Sequence, residues 1–158
     1  MQAFDPQAFL DLPVEAPLVK RPPIPAGDYT ATIKDVTARP WQSKDKTNPD
    51  GSLKSGIAYD VALTIEVPEA ARALVGLDSP TLELKDSIML ELNSAGMVDQ
   101  SPGKNGALRR YREALDMNKP GETFRARGMV GRMLTVRIIH EEYNGDLFER
   151  VRGVAKIG

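Results

Sequence analysis

The feature that most restricts the fold of this chain is a two-residue hydrophobic period that recurs after Gly27. Alternating apolar and polar side chains gives a strand one buried face and one wet face. Tyr29, Ala31 and Ile33 alternate with Thr30, Thr32 and Lys34, and Val61, Leu63, Ile65 and Val67 alternate with Ala62, Thr64 and Glu66. Leu82, Leu84, Ile88, Leu90 and Leu92 oppose Glu83, Lys85, Ser87, Met89 and Glu91. Leu134, Val136 and Ile138 make a fourth strand and Val151, Ala155 and Ile157 a fifth. Between these last two lies "EEYNGDLF", in which Asn144-Gly145 is the strongest short hairpin signal.

Two segments break the alternation. "PEAARALVG" has Pro68 at a helix start and Gly76 at its stop, enough for one or two turns between the second and third strands. "NGALRRYREALDMNKPG" carries Leu108, Tyr111 and Leu115 at helical spacing and ends in an Asn118 to Gly121 terminator, which predicts a helix from about Asn105 to Met117. Residues 1–26 are different again. Pro6, Pro13, Pro17, Pro22, Pro23 and Pro25 cannot donate to a ladder, so this stretch is expected to be an extended arm ahead of a domain at 27–158. Its apolar residues Phe4, Phe9, Leu10, Leu12, Val14, Leu18 and Val19 suit packing across the domain and packing onto a second copy equally well.

Composition narrows the classes. With 158 residues, 41% hydrophobic and 27% charged, the chain suits one globular domain with one core. No apolar run approaches the ~18 residues of a membrane span, and the acidic, proline-rich start does not read as a signal peptide. Absence of cysteine excludes disulfides, thiol catalysis and cysteine metal sites, and suits a reducing cytoplasm. The net charge of −1 hides an asymmetry: Lys104 to Arg137 holds nine basic and three acidic residues, a net +6, against −7 for the remainder. Segregated positive charge points to an anionic partner, most commonly nucleic acid. Arg109 with Glu113 and Arg112 with Asp116 lie at i,i+4, so part of that charge can instead be a self-paired helix face.

The only tryptophan, Trp41, stands in the polar stretch "RPWQSKDKTNPDGSLKSG" from Arg39 to Gly56, expected to be a long hairpin loop. Loops of that length are usually functional or disordered. Three consecutive strands, a helix and a closing hairpin give the connectivity of a five-stranded OB barrel, mainly β, which binds oligonucleotides on strands 2 and 3 and on the loops joining strands 1 to 2 and 4 to 5. Those loops would be Arg39 to Ser55, with Trp41, and Glu141 to Asp146, with Tyr143.

The run "IPAGDYTATIKDV", the polar lysine-containing loop after it and the closing "VGRMLTVRIIHEEYNGDLFERVRGVAKI" resemble bacteriophage single-stranded DNA-binding proteins of the OB class. The resemblance covers about Ile24 to Gly158 and implies sequence-tolerant binding of single-stranded DNA, with replication or recombination proteins as further partners. Two features depart from it: the short helix between strands 2 and 3, and an ending "VAKIG" without the acidic tail by which many such proteins recruit replication enzymes.

Binding of that kind needs cations along the phosphates and flat side chains for the bases, each stack contributing ~1–3 kcal/mol. Trp41 with Lys44, Lys46 and Lys54 supplies both within one loop, and Tyr143 adds a ring beside the second turn. Lys34, Lys85, Arg137, Arg150 and Arg152 are expected on the outward sheet face. The alternatives are that Trp41 folds back over the rim onto the proline arm, and that the cations only solvate a half-exposed sheet. Tyr59 shares parity with Val61 and is assigned to the core; Phe148 suits core or stacking.

No catalysis, cofactor or metal site is expected. His140, the single histidine, reads as structural, and Glu141-Glu142 are neighbours that point to opposite faces. "GMVG" has KH-type spacing but no helical setting, and no phosphate-binding glycine loop occurs. The leading expectation is protection of single-stranded DNA during replication or recombination. A structural or adaptor protein of phage assembly, using barrel and arm for protein contacts, is the alternative from another class; a small metal-dependent nuclease is a third.

Overall fold

In the computed structural model, which describes residues 5–158, five strands form one antiparallel sheet, with Phe4 outside the described residues. The strands are β1 (Gly27–Thr47), β2 (Leu53–Glu66), β3 (Thr81–Met89), β4 (Met133–Tyr143) and β5 (Asp146–Ala155), in the order β3-β2-β1-β4-β5. Two short helices interrupt them, α1 (Glu69–Val75) after β2 and α2 (Gly106–Ala114) before β4.

The alternation places the core. Tyr29, Ala31 and Ile33 of β1, Val61, Leu63 and Ile65 of β2, and Leu134, Val136 and Ile138 of β4 are all buried on one face. Each large aliphatic side chain among them contributes about 1.5–3 kcal/mol by leaving water. Leu108, Tyr111, Ala114 and Leu115 complete the core from α2 and its C-cap, so the narrow apolar stripe of that helix is its buried side. Gly76 ends α1 in the left-handed region, φ 69°, with its N–H donating to the Arg72 carbonyl.

β1 carries a bulge at Lys34. Ile33 pairs with Leu63 and Asp35 with Ala62, leaving Lys34 without an opposite residue. Before the bulge β1 serves both neighbours, with Gly27–Thr32 paired to β4; beyond it the strand pairs with β2 alone. The bulge also shifts the parity, so that Val36 rather than Asp35 packs against the core.

Four expectations need correction. The fifth strand ends at Ala155, and after a register shift Val154 packs on the core in place of Ala155 and Ile157. The Arg39 to Ser55 loop is mostly ladder: β1 runs on to Thr47 and β2 begins at Leu53, making a two-stranded ribbon with a tip at 48–52. The third strand stops at Met89, and Leu92 makes only an isolated bridge to Val98. Closure into a barrel does not follow from the ladders, because β3 and β5 are the two edges of an open sheet. α2 lies against both edge strands, and Tyr111 donates to the Asp86 carboxylate of β3 at 2.6 Å. Burial there holds the Asp86 carboxyl above its ordinary range.

The arm has two parts. Pro6–Asp11 is a 3-10 turn, and Leu10, Leu12, Val14, Leu18 and Val19 expose between 54 and 90% of their surface. Closer to β1 the arm is fastened to the β4–β5 hairpin. Ile24 is fully buried, Arg21 pairs with Glu149 at 2.8 Å, the Ile24 amide donates to the same carboxylate, and Lys20 lies 4.4 Å over the Phe148 ring. His140 Nε2 donates to the Ile24 carbonyl at 2.7 Å, the structural role expected of it.

Candidate nucleic-acid interface

Beyond the core the β1–β2 ribbon has little to bury, and its sequence is polar on both faces. After the Gln42–Ser55 pair the strands fall out of step, and the next pair is Thr47–Leu53. Ser43 organises the widened side, its hydroxyl accepting from the Lys46 amide at 2.9 Å. At the tip Asp50 accepts from both the amide and the hydroxyl of Ser52, and Gly51 takes φ 88°. The Ser52 hydroxyl, with its amide, lowers the Asp50 carboxyl below its usual range. Lys44, Lys46 and Lys54 stand exposed around this tip, and none makes a salt bridge among the described residues.

Trp41 is half-buried, and its cover comes from its own ribbon. It pairs across the ladder with Gly56, where a Cβ would meet the indole Nε1 at 2.9 Å and ring carbons at 3.1 and 3.2 Å. The indole therefore occupies the space a side chain at 56 would need. Its N–H is buried there with no acceptor among the described residues, a cost of about 1–3 kcal/mol.

Two residues back on the same face, Arg39 reaches across the ribbon. Its Nε donates to Asp60 Oδ2 at 2.7 Å, while Ser87 of β3 donates its hydroxyl to Asp60 Oδ1 at 2.6 Å. The Ser87 hydroxyl and then the Arg39 guanidinium hold the Asp60 carboxyl below its ordinary value, against burial that raises it; Lys85 nearby acts in the same direction. Ala58, cross-strand from both Arg39 and Met89, is fully buried beneath this layer. The outer face of β1, β2 and β3 thus carries a fixed polar bridge, an indole and two cations, Arg39 and Lys85.

The remaining expected site residues are exposed but not gathered into one track. Lys34 stands 4.0 Å from Glu83, Arg137 pairs with Asp28 at 2.9 Å, and Arg150 pairs with Glu141. These pairs lie on the surface, where solvent screens them and a phosphate can replace the carboxylate. Arg137, Arg150 and Arg152 sit on β4 and β5. Tyr143, 68% exposed, closes the β4–β5 hairpin, with the length of β1 between it and the ribbon that bears Trp41. The helix charges divide as well. Arg109 pairs with Glu113 at 3.6 Å, but Asp116 is held by Lys119 at 3.1 Å, and Arg112 instead sets its guanidinium 4.6 Å over the Phe124 ring.

Arg39 was the residue that sequence reasoning missed as part of the site. Its i,i+2 spacing from Trp41 places both on one face, a signal that exists only once the stretch is read as strand. Compared with models of protein families and with curated proteins, the chain matches none. Among the described residues no group of three or more His, Asp or Glu is placed to hold a metal ion, and no helix is long and apolar enough to cross a membrane.

Proposed function

We propose that the protein binds single-stranded DNA with little regard to sequence, through the β1–β2 ribbon and the outer face of β1, β2 and β3. The observation that carries this is the ribbon itself: an indole backed by Gly56, an arginine aligned beside it, and three lysines at the tip without ion-pair partners among the described residues. A base stacks on the open side of such an indole while phosphates follow the lysines, the combination that single-strand binders use. The strand order, with a helix between β3 and β4, supports an OB-like reading in which the sheet stays open between β3 and β5, and OB barrels take oligonucleotides on the strand 2–3 face and the adjoining loops. The likeness to phage single-stranded DNA-binding proteins supplies a setting, protection of replication or recombination intermediates in the cytoplasm, without catalysis.

Trp41 is the only indole, so its fluorescence reports on the site directly. Titration with oligo(dT) at low salt is expected to quench it saturably, and added salt to restore it. Flat fluorescence together with unchanged anisotropy of a labelled strand removes the reading.

A second reading has its own support. The exposed apolar residues of the arm are what a structural or adaptor protein presents to a partner, a second copy of this chain included. Stable self-assembly without nucleic-acid affinity at low salt would favour it.

A further inference from the structure

Beside α2 the chain forms a cleft of about 620 Å³ that runs on into a depression of about 380 Å³; the two share Val98, Gln100, Leu108 and Arg112. Together they make one trough along the helix, on the core side of the sheet. Its apolar floor is built from Tyr59, Leu108 and Phe124. Tyr59 is half-buried, fitting its assignment to the core, but it also lines this opening, and its hydroxyl has no partner among the described residues. Along the walls stand Arg125 and Arg112 in the cleft and Arg109 and Lys104 in the depression, against two acids, Glu122 and Asp99.

The arginines are not equivalent. Arg112 is fixed by the Phe124 ring below it and by donation from Nε to the Met117 carbonyl at 3.1 Å, which leaves its terminal amino groups free. Arg125 is exposed and makes no salt bridge among the described residues. Lys104 and Arg109 are held only by exposed carboxylates, Glu91 at 3.9 Å and Glu113 at 3.6 Å. Four of the nine basic residues of the +6 segment therefore line a trough whose floor includes two aromatic rings. Its volume lies within the ~300–1,000 Å³ of ordinary ligand pockets.

We infer that this trough is a second contact track for single-stranded nucleic acid, in which bases lie against Tyr59 and the Arg112 guanidinium that covers Phe124, and phosphates on Lys104, Arg109 and Arg125. Rings at one end of the trough with cations along its whole length suit a ligand that carries both flat bases and anions, whereas an acidic peptide uses only the cations. The inference rests on the single-strand reading above but not on its site. Tyr59 projects from the core face of β2 and Trp41 stands on the opposite face of the ribbon, so each track can be removed alone.

The test compares the intact protein with the triple variant Lys104→Gln, Arg109→Gln, Arg125→Gln, in oligo(dT) anisotropy titrations across a salt series. All three side chains are exposed, and circular dichroism verifies the fold. Loss of three phosphate contacts lowers the magnitude of the salt slope by about 2 and weakens binding roughly tenfold at moderate salt. Photocrosslinking of iodouracil-substituted strands to the unmodified protein provides a readout independent of any variant, with the label expected on peptides containing Tyr59. If the intact protein binds oligo(dT) while slope, affinity and crosslinks all ignore the trough, the inference is overturned and the ribbon reading stands. If the intact protein does not bind at low salt, both fall.

Discussion

At Trp41 the indole covers Gly56 while the side chain as a whole stays half-buried. Trp41→Ala is expected to cost ~1–3 kcal/mol of binding, one stack's worth, and a smaller loss of stability, because the indole is only half-buried. Oligo(dT) affinity measured beside a thermal melt separates the two, and unchanged affinity per folded molecule would refute the stacking role. Gly56→Ala attacks the same contact from the other strand, since the new methyl group must push the indole away. Asp60 is sensitive to acid for a related reason. Its folded-state pKa lies below the ordinary carboxylate value of about 3.9, so its bridge to Ser87 and Arg39 stabilises the fold fully above that pH. That contribution is lost as pH falls through the lowered value. Asp60→Asn should therefore weaken the fold at neutral pH and flatten its stability profile below about pH 4; parallel profiles for the two proteins would count against the bridge. Asp60 and Ser87 lie on strands that the alternation located, but their bridge to Arg39 was invisible while Arg39 belonged to a loop.

The ribbon is the element that the sequence hides best. Hydrophobic periodicity detects a strand only where one face is buried, and from Thr37 to Thr47 only Trp41 and Ser43 are even partly covered. The bulge at Lys34 removes a second cue by shifting the parity that Tyr29, Ala31 and Ile33 establish. Strands inside the core, the Asn144-Gly145 hairpin turn and both helices were legible because burial, turn chemistry or capping constrained them. The ribbon's own contribution can be isolated by cutting it at a true pair. Replacing residues 43–54 with Asn-Gly joins Gln42 to its partner Ser55 through a two-residue turn of the type hairpins prefer. The excised residues include none that is fully buried, so the stability should stay within about 0.5 kcal/mol of the parent, the range of surface changes. Binding should weaken and the salt slope lose about 2 in magnitude, the share of three lysines. A shortened protein that binds as before would remove the tip from the interface.

For the molecule as a whole, the segregation of charge is readable from sequence but its placement is not, because the fold brings Lys104, Arg109, Arg112 and Arg125 to one trough while Lys119 pairs with Asp116 instead. The arm shows the same division. Proline content announced an extended segment, whereas only the fold reveals that it is fastened from Lys20 to Ile24 and exposed before that. Burial pushes the Glu149 carboxyl up, but the Arg21 guanidinium and the Ile24 amide outweigh it and leave it below its usual range, so this fastening loosens in acid. Deleting residues 1–19 keeps the fastening and removes Leu10, Leu12, Val14, Leu18 and Val19, whose apolar surface is costly to leave in water at roughly 25 cal/mol per Å². None of these five is buried within the chain, so the deletion should leave the melting curve nearly unchanged. If a second copy covers the arm, the full chain sediments faster as concentration rises and the truncated chain does not. Velocity sedimentation of both forms, with and without oligo(dT), then separates the arm's task from the ribbon's: a truncated protein that is monomeric yet binds the strand with the parent's salt slope assigns assembly to the arm and nucleic acid to the sheet, and a full chain that stays monomeric at every concentration removes self-assembly from the arm.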